Sequence, residues 1–211
     1  MSARPLRIVV LVIVAFAAGL LLARLLAPAK VEPPRTERAT VFSAPRALPA
    51  LDLIDQDGKP LGAEFFQGHW TLVFFGFTQC PDICPTTLAT LAQTVRQLGD
   101  LPAGQRPRVL LVSVDPERDT PDILAPYVRF FDPAFLGATG TLEATAAAAA
   151  AFNVPYAKVS LPDGGYTLDH GSGVFIVGPS GGTVAYFSSP HDAATIARDY
   201  RSIVAWAEQR R

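Results

Sequence analysis

Residues 70–77 read WTLVFFGF and carry no charge. Aromatic and β-branched side chains dominate this run, so it predicts a strand covered on both faces. Such a strand needs apolar layers above and below it, which points to a layered α/β domain. The neighbouring chain supplies those layers. Residues 85–98 place Leu88, Leu91, Ala92, Val95 and Leu98 at helical spacing. Residues 108–114 (RVLLVSV) predict a second buried strand. A helix follows over 121–131, with Thr120 as N-cap and Pro121 in its first turn.

Further on, the pattern predicts a short strand at 135–138 and an alanine-rich helix at 142–152. Upstream, residues 51–55 before Asp57-Gly58 predict a hairpin. Strands at 156–161, 166–169, 174–177 and 184–187 are separated by turns at 162–165 and 180–182. A closing helix opens at Ser189-Pro190 and runs to about Glu208. Strand–helix–strand–helix followed by antiparallel hairpins predicts a thioredoxin-like α/β sandwich with a mixed sheet over residues 50–211. Its site belongs at the C-terminal end of the 70–77 strand.

The N-terminus predicts the compartment. Residues 8–23 (IVVLVIVAFAAGLLLA) are charge-free, and residues 6–27 reach the length of about 20 residues that spans a bilayer. The run exceeds the roughly 7–15-residue apolar region of a cleavable signal, so it predicts an uncleaved transmembrane helix. The expected layout is a cytoplasmic tail at 1–7, a single-pass anchor at 8–27, a Pro-rich tether at 28–49 and a globular domain outside the cytoplasm. With 18 Lys+Arg against 19 Asp+Glu, the net charge of −1 argues against a nucleic-acid partner.

The chain has 2 Cys, and both lie in Phe77-Thr-Gln-Cys80-Pro-Asp-Ile-Cys84-Pro85. If both occupy the first turns of a helix, their i, i+4 relation puts the sulfurs on one face. Helix N-terminal amides also favour thiolate. Three chemistries remain open. A structural disulfide would constrain the unfolded chain little across so short a loop. A redox dithiol usually has C-x-x-C rather than C-x-x-x-C spacing. A metal site would select Cu(I) or Zn(II) and needs a third ligand.

The 3 His limit that choice. His69 precedes the central strand, at the end away from the cysteines, and reads as a surface residue. His191 follows Pro190 and reads as an exposed residue of a first helical turn. His170 lies between two predicted strands and is followed by Gly171-Ser172-Gly173, which permits close backbone approach. Cys80, Cys84 and His170 would suit trigonal Cu(I); zinc would want Asp82 or Asp169 as a fourth ligand. Asp115, at the end of the second buried strand, reads equally as a functional carboxylate or a turn cap, and Arg118 as its ion-pair partner or that of Asp119.

Residues 75–88 (FGFTQCPDICPTTL), 112–121 (VSVDPERDTP), 135–141 (FLGATGT) and 168–170 (LDH) resemble the Sco/SenC family of membrane-anchored, copper-binding proteins. These stretches span most of residues 50–190 in the family's order. The resemblance implies that Cys80, Cys84 and His170 bind copper; Cu(I) is the expected state, with Cu(II) left open. It implies delivery of copper to, or reduction of the thiols of, the dinuclear copper-A site of cytochrome c oxidase subunit II. A copper donor chaperone and a periplasmic thiol reductant are the other implied partners. The implied location is a bacterial inner membrane, with the domain in the periplasm. The alternative function is a periplasmic thiol–disulfide oxidoreductase using Cys80 and Cys84 as its redox pair. The family commonly has Ser directly after the ligand His, where this chain has Gly171.

Overall fold

The structure is a computed structural model that describes residues 3–26, 32–162 and 164–210. The chain divides into two compact units, Met1–Glu32 and Pro33–Arg211. The first contains helix α1, Ala3–Leu26. Residues 11–22 of α1 are apolar and solvent-exposed. Among the described residues no helix is long and apolar enough to cross a membrane. The last residue of the expected anchor, Ala27, and the start of the expected tether, 28–31, lie outside the described residues.

The second unit is built on a mixed sheet. Its strands are β1 (Ala39–Ala47), β2 (Leu53–Asp55), β3 (Pro60–Leu61), β4 (Trp70–Gly76), β5 (Pro107–Ser113), β6 (Leu136–Gly140), β9 (Val174–Val177) and β10 (Gly182–Phe187), in the order β1-β10-β9-β4-β5-β6-β2-β3. Strands β7 (Tyr156–Ser160) and β8 (Tyr166–His170) form a separate hairpin. β4, β5 and β6 are parallel neighbours, and β9 runs antiparallel to β4. Every residue of β4 is buried, as its unbroken apolar run requires.

The helices of this unit are α2 (Ile83–Gln97), α3 (Pro121–Phe131), α4 (Leu142–Ala151) and α5 (Ala193–Glu208). Alternation along β4 sorts them onto its two faces. Trp70 meets Tyr200 of α5, and Gly76 approaches Cys84 of α2, so the even-numbered face lies under α2 and α5. Phe75 of the odd-numbered face packs on Phe152, at the end of α4. On β6 the neighbours of Gly137 are Leu124 and Val128 of α3, whereas Gly140 approaches Ala144 of α4.

The expected tether at 28–49 is corrected by the structure: its later part is β1, an edge strand paired with β10. Asp199 of α5 explains how it is held. Its buried carboxylate accepts the backbone N–H groups of Glu37 (2.9 Å), Arg38 (2.8 Å) and Ala39 (3.0 Å). Pro45 is tolerated because β1 is an edge strand whose register shifts between Val41 and Arg46.

Candidate metal centre

Strand β4 and helix α2 deliver the cysteines. β4 ends at Gly76, and α2 begins at Ile83 with Asp82 as N-cap. Cys84 therefore sits in the first turn of α2, while Cys80 lies in the preceding loop rather than on the helix. Loop curvature, not the i, i+4 relation of a helix, brings the sulfurs together. Strand β8 delivers His170 from the opposite side. One ligand atom from each of Cys80, Cys84 and His170 lies within 4.8 Å of the other two. Cys84 is buried, and Cys80 and His170 are half-buried.

The donor atoms face one another. Cys84 Sγ is 3.4 Å from His170 Nε2. His170 Nδ1 is 3.1 Å from the Gly171 carbonyl oxygen. A carbonyl only accepts, so Nδ1 carries the proton of the neutral ring and Nε2 turns its lone pair toward the sulfurs. Phe74 and Phe77 meet the imidazole edge-to-face at 6.1 and 5.8 Å and fix its plane. Burial lowers the His170 pKa, which keeps the ring neutral.

The thiol electrostatics differ from the sequence expectation. Burial raises the Cys84 pKa above the ordinary thiol value and outweighs any help from the helix N-terminus. Cys84 is therefore a neutral thiol until something replaces its proton. A soft monovalent cation can do this, because it supplies the charge that the buried thiolate lacks. Two sulfurs and one imidazole nitrogen fit copper(I) in softness and number. Asp82 and Asp169 do not join the group among the described residues, so no fourth ligand for tetrahedral zinc is present there.

A sequence model of the SCO1/SenC family matches residues 43–205. The chain belongs to the SCO1/SenC family. The mitochondrial protein SCO2 homolog of Mus musculus is 36% identical over 203 residues, covering 95% of this chain and 80% of that protein. Arabidopsis thaliana ScoI with copper bound aligns with a TM-score of 0.70 at 32% identity, over 77% of this chain and 98% of that one. Bradyrhizobium japonicum ScoI with copper bound aligns with a TM-score of 0.66 at 32% identity, over 74% and 99%.

In this SCO1/SenC chain, further residues hold the site together. Gly76 is one: a Cβ there would stand 2.9 Å from Cys84 Sγ. Asp119 is another. Its buried carboxylate accepts from the Thr78 backbone N–H (3.0 Å), the Thr78 hydroxyl (2.5 Å) and the Ser113 hydroxyl (2.6 Å). That ties the loop before Cys80 to β5. Burial raises the Asp119 pKa, against these hydrogen bonds. The sequence reading offered Asp119 only as an ion-pair partner, because nothing local shows that Thr78 folds back onto it.

Arg118 joins three segments. Its Nε binds Asp115, which is 2% exposed, and Nη1 donates to Gln79 Oε1 (3.0 Å) and to the Tyr166 carbonyl (3.1 Å). Its guanidinium lies 3.8 Å from the Tyr166 ring centre. The Tyr166 hydroxyl donates to Asp115 at 2.9 Å, and burial with this hydrogen bond pushes the phenol up to about 12. Asp115 is thus both the partner of Arg118 and part of the brace beneath the His170 hairpin. The other histidines stand apart. His69 is exposed at the start of β4. His191 is not the exposed residue the sequence suggested: it is half-buried, and its Nε2 lies 2.7 Å from the Ser172 carbonyl, so it supports the loop after His170.

Proposed function

We propose that this chain is a membrane-anchored copper chaperone that holds Cu(I) between Cys80, Cys84 and His170 for assembly of the copper-A centre of cytochrome c oxidase subunit II. The observation that carries the reading is the convergence of two thiol sulfurs and an imidazole nitrogen within 4.8 Å. Two thiolates and one cuprous ion carry a net charge of −1. A soft acceptor can therefore exchange ligands one at a time, and the half-buried Cys80 is the sulfur it reaches first. Neutral His170 gives up the metal without a change in its own charge. The family resemblance and the copper-bound relatives support copper as the cargo.

The proposed setting follows from the same chemistry. Loading requires the dithiol form, so a periplasmic thiol reductant and a copper donor chaperone complete the set of partners. The charge-free run at 8–23, with its exposed apolar residues 11–22, supports a single-pass anchor in a bacterial inner membrane. The domain then lies in the periplasm, facing subunit II.

Titrating Cu(I) into the reduced protein against a competing chelator tests the reading. It expects one tight equivalent, greatly weakened in His170→Ala and abolished in Cys80→Ser/Cys84→Ser. Binding indifferent to His170 would move the function to a thiol–disulfide oxidoreductase, in which Cys80 attacks and the buried Cys84 resolves.

A further inference from the structure

The two faces of the sheet are covered unequally. On the face carrying Phe75, α4 leaves the β1-β10-β9 end open, and a cleft of about 600 Å³ occupies the gap. That volume falls within the few-hundred to about 1,000 Å³ range of small-molecule sites. Its floor is a row of near-parallel rings. Phe42 stands 6.1 Å from Tyr186, and Tyr186 stands 6.0 Å from Phe175, both at interplanar angles of 29°. Phe152 closes one side, edge-on to Phe175 at 5.3 Å. Such a floor accepts a flat apolar body by stacking.

The rim of the cleft carries a cation beside a polar side chain. Arg46 and Thr183 are directly opposed across β1 and β10, so their side chains share one face of the sheet. The Arg46 guanidinium is exposed, lies 3.8 Å from the Phe42 ring centre and pairs with no carboxylate among the described residues. Thr183 is only 5% exposed, and its buried hydroxyl has no hydrogen-bond partner. No acidic side chain lines the cleft among the described residues, so nothing opposes an anion there.

We propose that this cleft binds a small aromatic carboxylate. The ring system lies against Tyr186, Phe175 and Phe152, beside Phe42, whose face Arg46 covers. The carboxylate pairs with Arg46 at the rim, beside Thr183. None of Cys80, Cys84 and His170 lines the cleft, so the proposal stands independently of the copper reading.

The test uses two probes of one shape, 2-naphthoate and its uncharged analogue 2-naphthamide, titrated into the full chain in detergent micelles. NMR follows the backbone amides of Gly171, Gly173 and Thr183, which line the cleft. Saturable shifts are expected at these amides, with naphthoate bound about tenfold more tightly than naphthamide, as a charge-assisted contact implies. Arg46→Gln should erase that preference and leave naphthamide binding unchanged. Absence of saturable shifts at these amides with both probes would overturn the proposal. Equal binding of the two probes by the unmodified chain, or a preference that survives in Arg46→Gln, would also overturn it.

Discussion

Gly76 and Cys84 occupy one space. With 2.9 Å between the position of a Cβ at residue 76 and Cys84 Sγ, and 3.2 Å to Leu111 Cδ1, Gly76→Ala must displace the thiol or the strand. Overpacking of this kind costs about 1–3 kcal/mol of stability. The same variant should weaken Cu(I) binding by at least about tenfold, because 1.4 kcal/mol of misplaced ligand is a factor of ten. Denaturant midpoints and competitive Cu(I) titration measure the two effects separately. An unchanged Cu(I) affinity in Gly76→Ala would show that Cys84 need not sit where it does.

The Cys84 proton gives a second prediction at this scale. Its pKa is raised by burial, so the metal-free protein keeps the proton at neutral pH and Cu(I) must displace it. Raising the pH removes that competitor, so apparent affinity should climb by about tenfold or more per pH unit between pH 6 and 8. His170 has its pKa lowered by burial, so it adds proton competition only below the ordinary histidine range near ~6.5. A flat affinity profile over that interval would mean that no thiol proton is lost on binding.

Among the elements, the β7–β8 hairpin is braced against the Cys loop mainly through Arg118. Its contacts to Gln79, Asp115 and Tyr166 bridge the segments that carry Cys80 and His170. Arg118→Gln should therefore speed Cu(I) release to an external chelator by about tenfold, the worth of one charge-assisted hydrogen bond. Stopped-flow transfer to that chelator measures it; an unaltered rate would leave the brace without a role in retention. At the other end of the sheet, Asp199→Ala removes the carboxylate that holds the entry to β1. Thermal unfolding should register a loss of about 1–3 kcal/mol, as expected when part-buried backbone N–H groups lose a charged acceptor.

These two elements also mark how far the sequence could be read. β4 was legible because an unbroken apolar run has few ways to be buried other than as a central strand. The motif stretches pointed to Cys80, Cys84 and His170, which the fold brings together although Cys84 and His170 are 86 positions apart. β1 was illegible: it lies in the 28–49 segment, whose prolines and mixed charge resemble a linker, and the carboxylate that anchors it lies about 160 positions away. The brace of Arg118 was half-legible. Its pairing with Asp115 is local, but its contacts with Gln79 and Tyr166 exist only in the folded chain.

For the whole molecule, the sheet joins two regions of different character. Helix α2, the Cys loop and the β7–β8 hairpin build a small, partly buried sulfur–nitrogen site. The β1-β10-β9 end keeps an open aromatic cleft. The unit Met1–Glu32 contains helix α1, whose charge-free run at 8–23 is the proposed membrane anchor. Removing residues 1–32 should move the protein from the membrane pellet to the soluble fraction, and a truncated protein that still sedimented with membranes would refute that assignment. The central claim concerns the ligand set, and X-ray absorption of the Cu(I)-loaded protein tests it most directly. The account predicts a three-coordinate copper with two sulfur scatterers and one imidazole nitrogen, falling to two sulfurs in His170→Ala. A copper shell without two sulfurs, or one unchanged by loss of His170, would contradict it.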